Sequence, residues 1–177
     1  IILKESNMSK LYVGSEVGKL KRVLLHSPNL SIARLTPSNC DDLLFDDVLR
    51  VHEATAEHEY FQKVLEQHDI EVLLLSNLLT ETLDNADAKR WILEQQASDL
   101  RFGPSIGKIV REYLESLSHR ELARHLTGGT TVSDIDSNLI NYTSRSLLGY
   151  DLTETSFLIN PLPNHLFTRD TSCWVYG

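Results

Sequence analysis

The residues best suited to chemistry lie close together in the segment PLPNHLFTRD, residues 161–170. Asp170 can grip a planar cation such as a guanidinium, because a carboxylate accepts two parallel N–H hydrogen bonds from it. Phe167 can form a wall for the aliphatic part of such a ligand. Asn164 follows a proline on a rigid turn and can offer its amide to the ligand's polar end. The same pattern fits a structural role, in which Asn164 closes a turn and Asp170 pairs with Arg169 or caps a loop.

Composition narrows the class of protein. The chain has 177 residues, a mass of 20.1 kDa, a formal net charge of -8 and a pI near 5.3. The charge disfavours binding to nucleic acid or to an anionic membrane but not to a small cation. The longest apolar runs are too short to span a bilayer. Residues 1–14 mix charged and apolar residues, so no secretory leader is predicted.

Cysteine and histidine usage points away from disulfides and metals. Cys40 and Cys173 are too few for a disulfide framework and lack metal-ligand spacing. A cytoplasmic location is therefore expected. The seven histidines form no HxxxH or HExxH pattern, so most are expected at the surface or at helix caps.

The first part of the chain predicts an α/β unit. Residues 19–26 form a strand that is buried on both faces, followed by an amphipathic helix that begins at Asp46 or Asp47 with acidic residues at its N-terminus. Residues 70–75 form a second buried strand. A strand, a helix and a strand with tight connections are typical of this class.

A helical segment follows and contains no predicted strand from residue 77 to residue 148. Asn85 is expected to cap one helix, and Ser118 with Glu121 forms a capping box for another. Gly128 and Gly129 supply a left-handed stop. An apolar extended run returns at residues 156–160, so the helical segment is interpreted as an insertion into the α/β part.

The segment PLPNHLFTRD resembles one found in the arginine deiminase family, enzymes that hydrolyse the guanidinium of free arginine to citrulline and ammonia. The family's PLPNxxFTRD segment contacts substrate through its Asn, Phe and Asp. The resemblance therefore makes Asn164, Phe167 and Asp170 substrate-binding residues and gives Asp170 a catalytic role as well.

Two further segments resemble the same family. The run LTPSNCDDLLFDD, residues 35–47, places Leu44 where the family packs an apolar side chain against arginine, although a core leucine would also suit this position. The run SEVGKLKRVLLHSP, residues 15–28, resembles the family's first strand. The resemblance extends over almost the whole chain from about Val13 onward, and two long motifs in the right order are specific.

The resemblance implies an α/β fold: part of a five-bladed α/β propeller of the pentein type, with an inserted helical subdomain. With Met8 as the natural start, residues 8–76 are the first propeller unit and residues 77–150 the insertion. Residues 151–177 begin the second unit, so the chain is expected to be a truncated N-terminal portion.

Family catalysis requires a cysteine thiolate, a histidine and a second carboxylate that have no match here. Cys40 and Cys173 are accordingly interpreted as packing residues, and His165 does not match the catalytic histidine. The chain alone is expected to be inactive. The family uses no metal or organic cofactor, binds L-arginine and is expected to be homo-oligomeric at full length.

Two alternatives remain open. One is a related guanidino enzyme acting on agmatine, peptidyl arginine or methylated arginine, or transferring an amidino group. The other is a non-catalytic binding or assembly protein that retains the half-site.

Overall fold

A computed structural model describes residues 12–135 and 153–170, which form a mixture of helices and short strands. The first strand, β1, spans Arg22–Leu25 and is followed by the short helix α1, Leu30–Ala33. Helix α2 spans Val51–Gln67, and strand β2 spans Glu71–Leu74.

The predicted strand, helix and strand are present, and β1 pairs with β2 in parallel, with Val23 opposite Val72. Both strands are half-buried at most, so the prediction that they are buried on both faces is wrong. The helix begins at Val51, several residues later than predicted, and only Glu53 is acidic in its first turn. The aspartates at 46 and 47 instead lie in the preceding loop.

Four helices follow β2 in close succession. They are α3, Leu75–Leu83; α4, Ala86–Gln96; α5, Asp99–Ser116; and α6, His119–Gly128. The predicted cap at Asn85 is confirmed, since its side chain accepts from the amides of Asp87 and Ala88. Half of the predicted capping box is present, because the Ser118 hydroxyl accepts from the Glu121 amide but the Glu121 carboxylate accepts from Arg124 and not from the Ser118 amide. Gly129 ends α6 with a φ of 82°.

The hydrophobic core lies among these helices. Their apolar residues recur at three- and four-residue steps, so each helix turns one stripe inward. Leu83, Val110, Leu114 and Leu122 are completely buried. Leu158 and Ile159, from further along the chain, belong to the same core cluster, whereas no residue of α2 is buried.

The helical segment also contains a strand that the sequence pattern missed. Strand β3, Thr130–Thr131, pairs in antiparallel fashion with β4, Phe157–Ile159, and the helix α7, Val132–Ile135, follows β3. Two threonines are too short a run to show a periodicity of two. The apolar extended run predicted at residues 156–160 is confirmed by β4.

The described residues therefore form a mixed helix and strand fold with two small two-stranded sheets and no closed sheet. The propeller and the domain boundaries remain predictions. Residues 136–148 of the predicted helical segment, and Cys173, lie outside the described residues. Within the described ranges, no helix has the length and apolar character needed to cross a membrane.

Candidate functional site

The segment that carries Leu44 is a compact loop built on its own backbone. The Asn39 side chain accepts a hydrogen bond from the Thr36 amide at 2.7 Å and donates to the carbonyl of Arg34 at 3.0 Å. A short 3-10 helix, Asp41–Leu43, then leads into Leu44. The loop is thus a defined turn, and its geometry decides where Leu44 lies.

Leu44 has an unusual backbone and an exposed side chain. Its φ and ψ are 63° and 38°, in the left-handed region that leucine rarely occupies. Its side chain is 82% exposed, so it is not a core leucine. A strained backbone that carries an uncovered apolar side chain is common at ligand-contacting positions.

The second segment forms a rigid turn immediately after β4. Pro163 starts a 3-10 helix, Pro163–Leu166, in which the fixed φ of proline suits the first position. Pro163 is buried, Asn164 is half-buried, and Phe167 is 49% exposed. The Phe167 amide donates to the Asn164 carbonyl at 3.0 Å, which fixes the two residues relative to each other.

The fold brings the two segments together. The Asn164 side-chain amide donates to the Leu43 carbonyl at 2.9 Å, across 121 residues of sequence. The Phe45 and Phe167 rings lie 6.4 Å apart, centroid to centroid, at an interplanar angle of 31°. Leu44 therefore lies between two residues, Leu43 and Phe45, that each contact the PLPNHLFTRD turn. Sequence reasoning missed Phe45, although an aromatic residue beside Leu44 was a signal for it.

Asp170 lies on an exposed turn that is anchored to the end of β1. The Thr168 hydroxyl donates to the Leu24 carbonyl at 2.8 Å. Within the described residues, the Asp170 carboxylate has no ion pair or hydrogen bond, and Arg169 pairs with Glu16. The pairing of Asp170 with Arg169, considered as a structural alternative, is therefore not found. Open α/β sheets bind ligands at the carboxyl ends of their strands, which is where Thr168 attaches this turn.

The site is electrostatically suited to a cation. Asp41, Asp42, Asp46 and Asp47 are all exposed and flank Leu44. Four carboxylates within seven residues create a negative potential at the loop, which attracts a positively charged ligand and repels an anion. The Asn164 amide already binds a backbone carbonyl, so Asn164 first of all holds the two segments together.

A buried histidine pair lies behind the PLPNHLFTRD turn. His26 is 2% exposed, and the rings of His26 and His165 meet edge to face at 6.2 Å. Within the described residues, neither ring nitrogen of His26 has a hydrogen-bond partner. Burial, with the nearby positive charges of His165 and His58, lowers the pKa of His26 to about 4. His26 and His125 are the buried histidines of the described residues, and for His26 the strand that ends just before it was the signal in the sequence.

Within the described residues the loop that carries Leu44 contains one cysteine, Cys40, which is free and buried. Cys40 is 7% exposed and packs against the Pro37 carbonyl, with 3.7 Å between sulfur and oxygen, so its interpretation as a packing residue is confirmed. No group of three or more potential metal-ligating side chains occurs in residues 12–135 and 153–170. Two clefts open elsewhere, at the start of α2 and between α4 and α5, and none of the four predicted site residues lines them.

Comparison with known protein families gives one match, and it covers most of the chain. The sequence model of the arginine deiminase family matches residues 41–177. The match includes Leu44 and the whole PLPNHLFTRD turn. The chain therefore belongs to the arginine deiminase family, and the resemblance seen in its motifs is confirmed. Membership indicates an arginine deiminase-like function, a hydrolase acting on the guanidino group of arginine.

Proposed function

We propose that this member of the arginine deiminase family supplies the arginine-binding half of an enzyme that converts L-arginine to L-citrulline and ammonia. One observation carries the proposal. Two motif segments, 121 residues apart at their point of contact, are joined by the hydrogen bond from Asn164 to the Leu43 carbonyl. If the two turns served only to stabilise the fold, Leu44 would have no reason to combine a left-handed backbone with an exposed side chain where the turns meet.

Asp170 is the residue that we assign to the guanidinium. Its carboxylate accepts N–H hydrogen bonds from the charged head group and localises that charge, which lowers the cost of nucleophilic addition at the central carbon. Leu44 and Phe167 pack against the aliphatic stem of the substrate. Asn164 holds the two walls at a fixed separation and keeps its side-chain oxygen for the amino-acid end.

The attacking thiolate is not among these residues. The mechanism adds a cysteine sulfur to the guanidinium carbon, expels ammonia and then hydrolyses the covalent intermediate with water. Cys40 is buried under its own loop, which supports assigning it no part in this chemistry. We therefore propose that the 177-residue chain binds arginine but does not hydrolyse it on its own.

The complete fold, the cellular location and the oligomeric state of the enzyme are proposed from the family resemblance alone. They are a five-bladed α/β propeller with a helical insertion over residues 77–150, a cytoplasmic location and a homo-oligomeric full-length enzyme. Most residues of the core cluster lie in α3–α6, which supports treating the helical segment as an insertion, and Leu158 and Ile159 of β4 complete that core.

The competing functions differ in the ligand that they predict. A relative acting on agmatine would bind a guanidinium that lacks the carboxylate of arginine. A non-catalytic binding or assembly protein that retains the half-site would instead be recognised by its state, because it would be monodisperse and unfold cooperatively as a 177-residue chain.

The test is a titration of the chain with L-arginine and, separately, with agmatine, followed by NMR of backbone amides. We expect saturable chemical-shift changes at the amides of Leu44, Phe45 and Phe167, and we expect L-arginine to cause them at lower concentration than agmatine does. No citrulline should form. Shifts confined to the cleft between α4 and α5, or no shifts at all, would refute the proposed site. Tighter binding of agmatine would reassign the substrate.

A further inference from the structure

The C-terminal turn of α6, defined here as Thr127, Gly128 and Gly129, contacts both segments of the candidate site. On one side, a terminal nitrogen (Nη1) of Arg34 donates to the Gly128 carbonyl at 3.3 Å and also to the Gly129 carbonyl. On the other side, the Leu162 amide donates to the Thr127 carbonyl at 2.8 Å. One turn of the helical segment thus holds both the start of the Leu44 loop and the start of the turn that carries Asn164.

Arg34 is suited to this position by charge and by shape. The last carbonyls of a helix lack partners within the helix and carry the negative end of its dipole, so they favour a cation with several donors. The other terminal nitrogen of Arg34 (Nη2) donates to the Asp134 carboxylate at 2.6 Å, and the Arg34 side chain is only 14% exposed. The planar guanidinium therefore bridges the turn and a carboxylate at once.

Asp134 is itself fixed in place. It accepts hydrogen bonds from the Thr131 amide at 2.7 Å and from the Thr131 hydroxyl at 2.9 Å. Burial alone would raise the pKa of Asp134, but the Thr131 hydrogen bonds and the Arg34 guanidinium together lower it below its ordinary value. The carboxylate therefore stays ionised and keeps its hold on Arg34.

Two hydrogen bonds connect the backbone of Arg34 to the loop that leads into Leu44. The Arg34 carbonyl accepts from the Asn39 side chain at 3.0 Å, and the Asn39 carbonyl accepts from the Leu43 amide at 3.1 Å. Displacement of Arg34 would therefore break the hydrogen bond that holds Asn39 and, through Asn39, the rest of this loop.

The other segment is held just as closely. A Cβ atom at Gly129 would lie 2.8 Å from the Ile159 carbonyl oxygen and 2.8 Å from the Pro161 nitrogen. That approach leaves no room for a side chain between the turn and the strand that leads into Pro163. At Gly128, a Cβ atom would lie 2.6 Å from the Leu30 side chain of α1.

We infer that the helical segment clamps the arginine site through the C-terminal turn of α6, with Arg34 as the positioning residue that sets the Leu44 loop against the Asn164 turn. This inference rests on the proposed function for its ligand but not for its geometry. The helical segment then contributes to substrate affinity without touching the substrate.

The test compares Arg34→Lys with two controls in the same chain. Lysine keeps the positive charge but lacks the planar guanidinium, whose two terminal nitrogens donate to two carbonyls and a carboxylate at once. Arg90→Lys makes the same change in an exposed pair with Asp87. Gly103→Ala controls for stability, because Gly103 has a φ of 72° with open space around it, so alanine there strains the backbone remote from the turn.

Two readouts are measured, amide hydrogen exchange and the dissociation constant for L-arginine. In Arg34→Lys we expect exchange at Leu43, Leu44 and Phe45 to accelerate about tenfold, and arginine affinity to fall about tenfold, the factor for one lost charged hydrogen bond. Amides of α4 should change much less. Both controls should keep the wild-type arginine affinity.

Wild-type exchange and affinity in Arg34→Lys would overturn the inference, and so would exchange that accelerates equally in α4. Should Arg34→Lys fail to fold, Asp134→Asn keeps the shape and must show the same local pattern to a smaller degree. Absence of arginine binding in the unmodified chain would refute the proposed function only, because the exchange measurement tests the clamp without ligand.

Discussion

Leu44 combines an unfavourable backbone conformation with an exposed apolar side chain. A leucine in the left-handed region costs roughly 1–2 kcal/mol relative to ordinary backbone, and an 82% exposed side chain recovers little of it by packing. Glycine would adopt this backbone without strain. Retaining leucine therefore makes sense if its side chain packs on a ligand.

Leu44→Gly should separate stability from binding. Relief of the left-handed strain should leave the free energy of unfolding unchanged or raise it by up to about 1 kcal/mol, while arginine affinity falls. The measurements are urea unfolding and an arginine titration. Leu100→Gly is the control, since Leu100 is fully exposed on α5 and glycine there should cost about 1 kcal/mol with no effect on affinity. A destabilised Leu44→Gly protein with normal affinity would contradict the role of Leu44.

His26 makes the site sensitive to acid. Its folded pKa is lowered to about 4, first by burial and then by His165 and His58, whereas an unfolded histidine has a pKa near 6.5. Between these values the unfolded chain binds more protons than the folded chain, so stability falls as pH falls from about 6.5 to about 4. The full loss from His26 is at most about 3 kcal/mol.

His26→Leu should flatten this pH dependence without abolishing it, because burial also lowers the pKa of His165 and His58. Urea unfolding at several pH values from 7.5 to 4.5 measures the slope. His52→Leu, a change at an exposed histidine on α2, should retain the wild-type slope. Equal slopes in the wild type and His26→Leu would show that His26 does not carry the effect.

At the scale of elements, local signals predicted two helix starts and three of the four described strands. Asn85 and Ser118 mark helix starts because capping depends on residues two or three positions apart. Strand β3 escaped prediction because two threonines are paired by β4, which lies more than twenty residues further along the chain. The start of α2 was misplaced because Asp46 and Asp47 fit a helix N-terminus but form part of the Leu44 loop.

The residues of the candidate site that belong to one sequence motif could be predicted, whereas the contacts between distant parts of the chain could not. Asn164, Phe167 and Asp170 share one short segment, so the sequence could single them out. The hydrogen bond from Asn164 to Leu43 and the stacking of Phe45 near Phe167 depend on chain folding over long separations. The hydrogen bonds from Arg34 to the carbonyls at the end of α6 also join distant parts of the chain, so the sequence could not predict them.

Gly129 and Gly103 provide a matched test of the turn that ends α6. Both have positive φ, 82° and 72°, but only a Cβ atom at Gly129 meets backbone atoms of another segment. Gly103→Ala should therefore cost about 1–3 kcal/mol from backbone strain alone, and Gly129→Ala clearly more. Thermal or urea unfolding of both variants gives the comparison. Similar losses in the two would show that close packing against Ile159 and Pro161 contributes little.

Across the whole molecule, the candidate site lies where a well-packed part meets a thinly packed one. The helices α3–α6 enclose the core, whereas α2 buries no residue and β1 and β2 are half-buried at most. Regions with few buried contacts open locally at low free-energy cost. The contacts of Arg34, Leu162 and Asn164 therefore connect the proposed arginine-binding loops to the stable part of the molecule.

The most direct test of the account is the effect of Asp170→Asn on L-arginine binding by this chain. Asparagine keeps the shape but loses the negative charge that grips the guanidinium. Asp87→Asn, at an exposed carboxylate on α4, is the control. The account predicts that Asp170→Asn weakens arginine binding by about tenfold or more with unfolding unchanged, and that Asp87→Asn binds normally. Wild-type affinity in Asp170→Asn would contradict it.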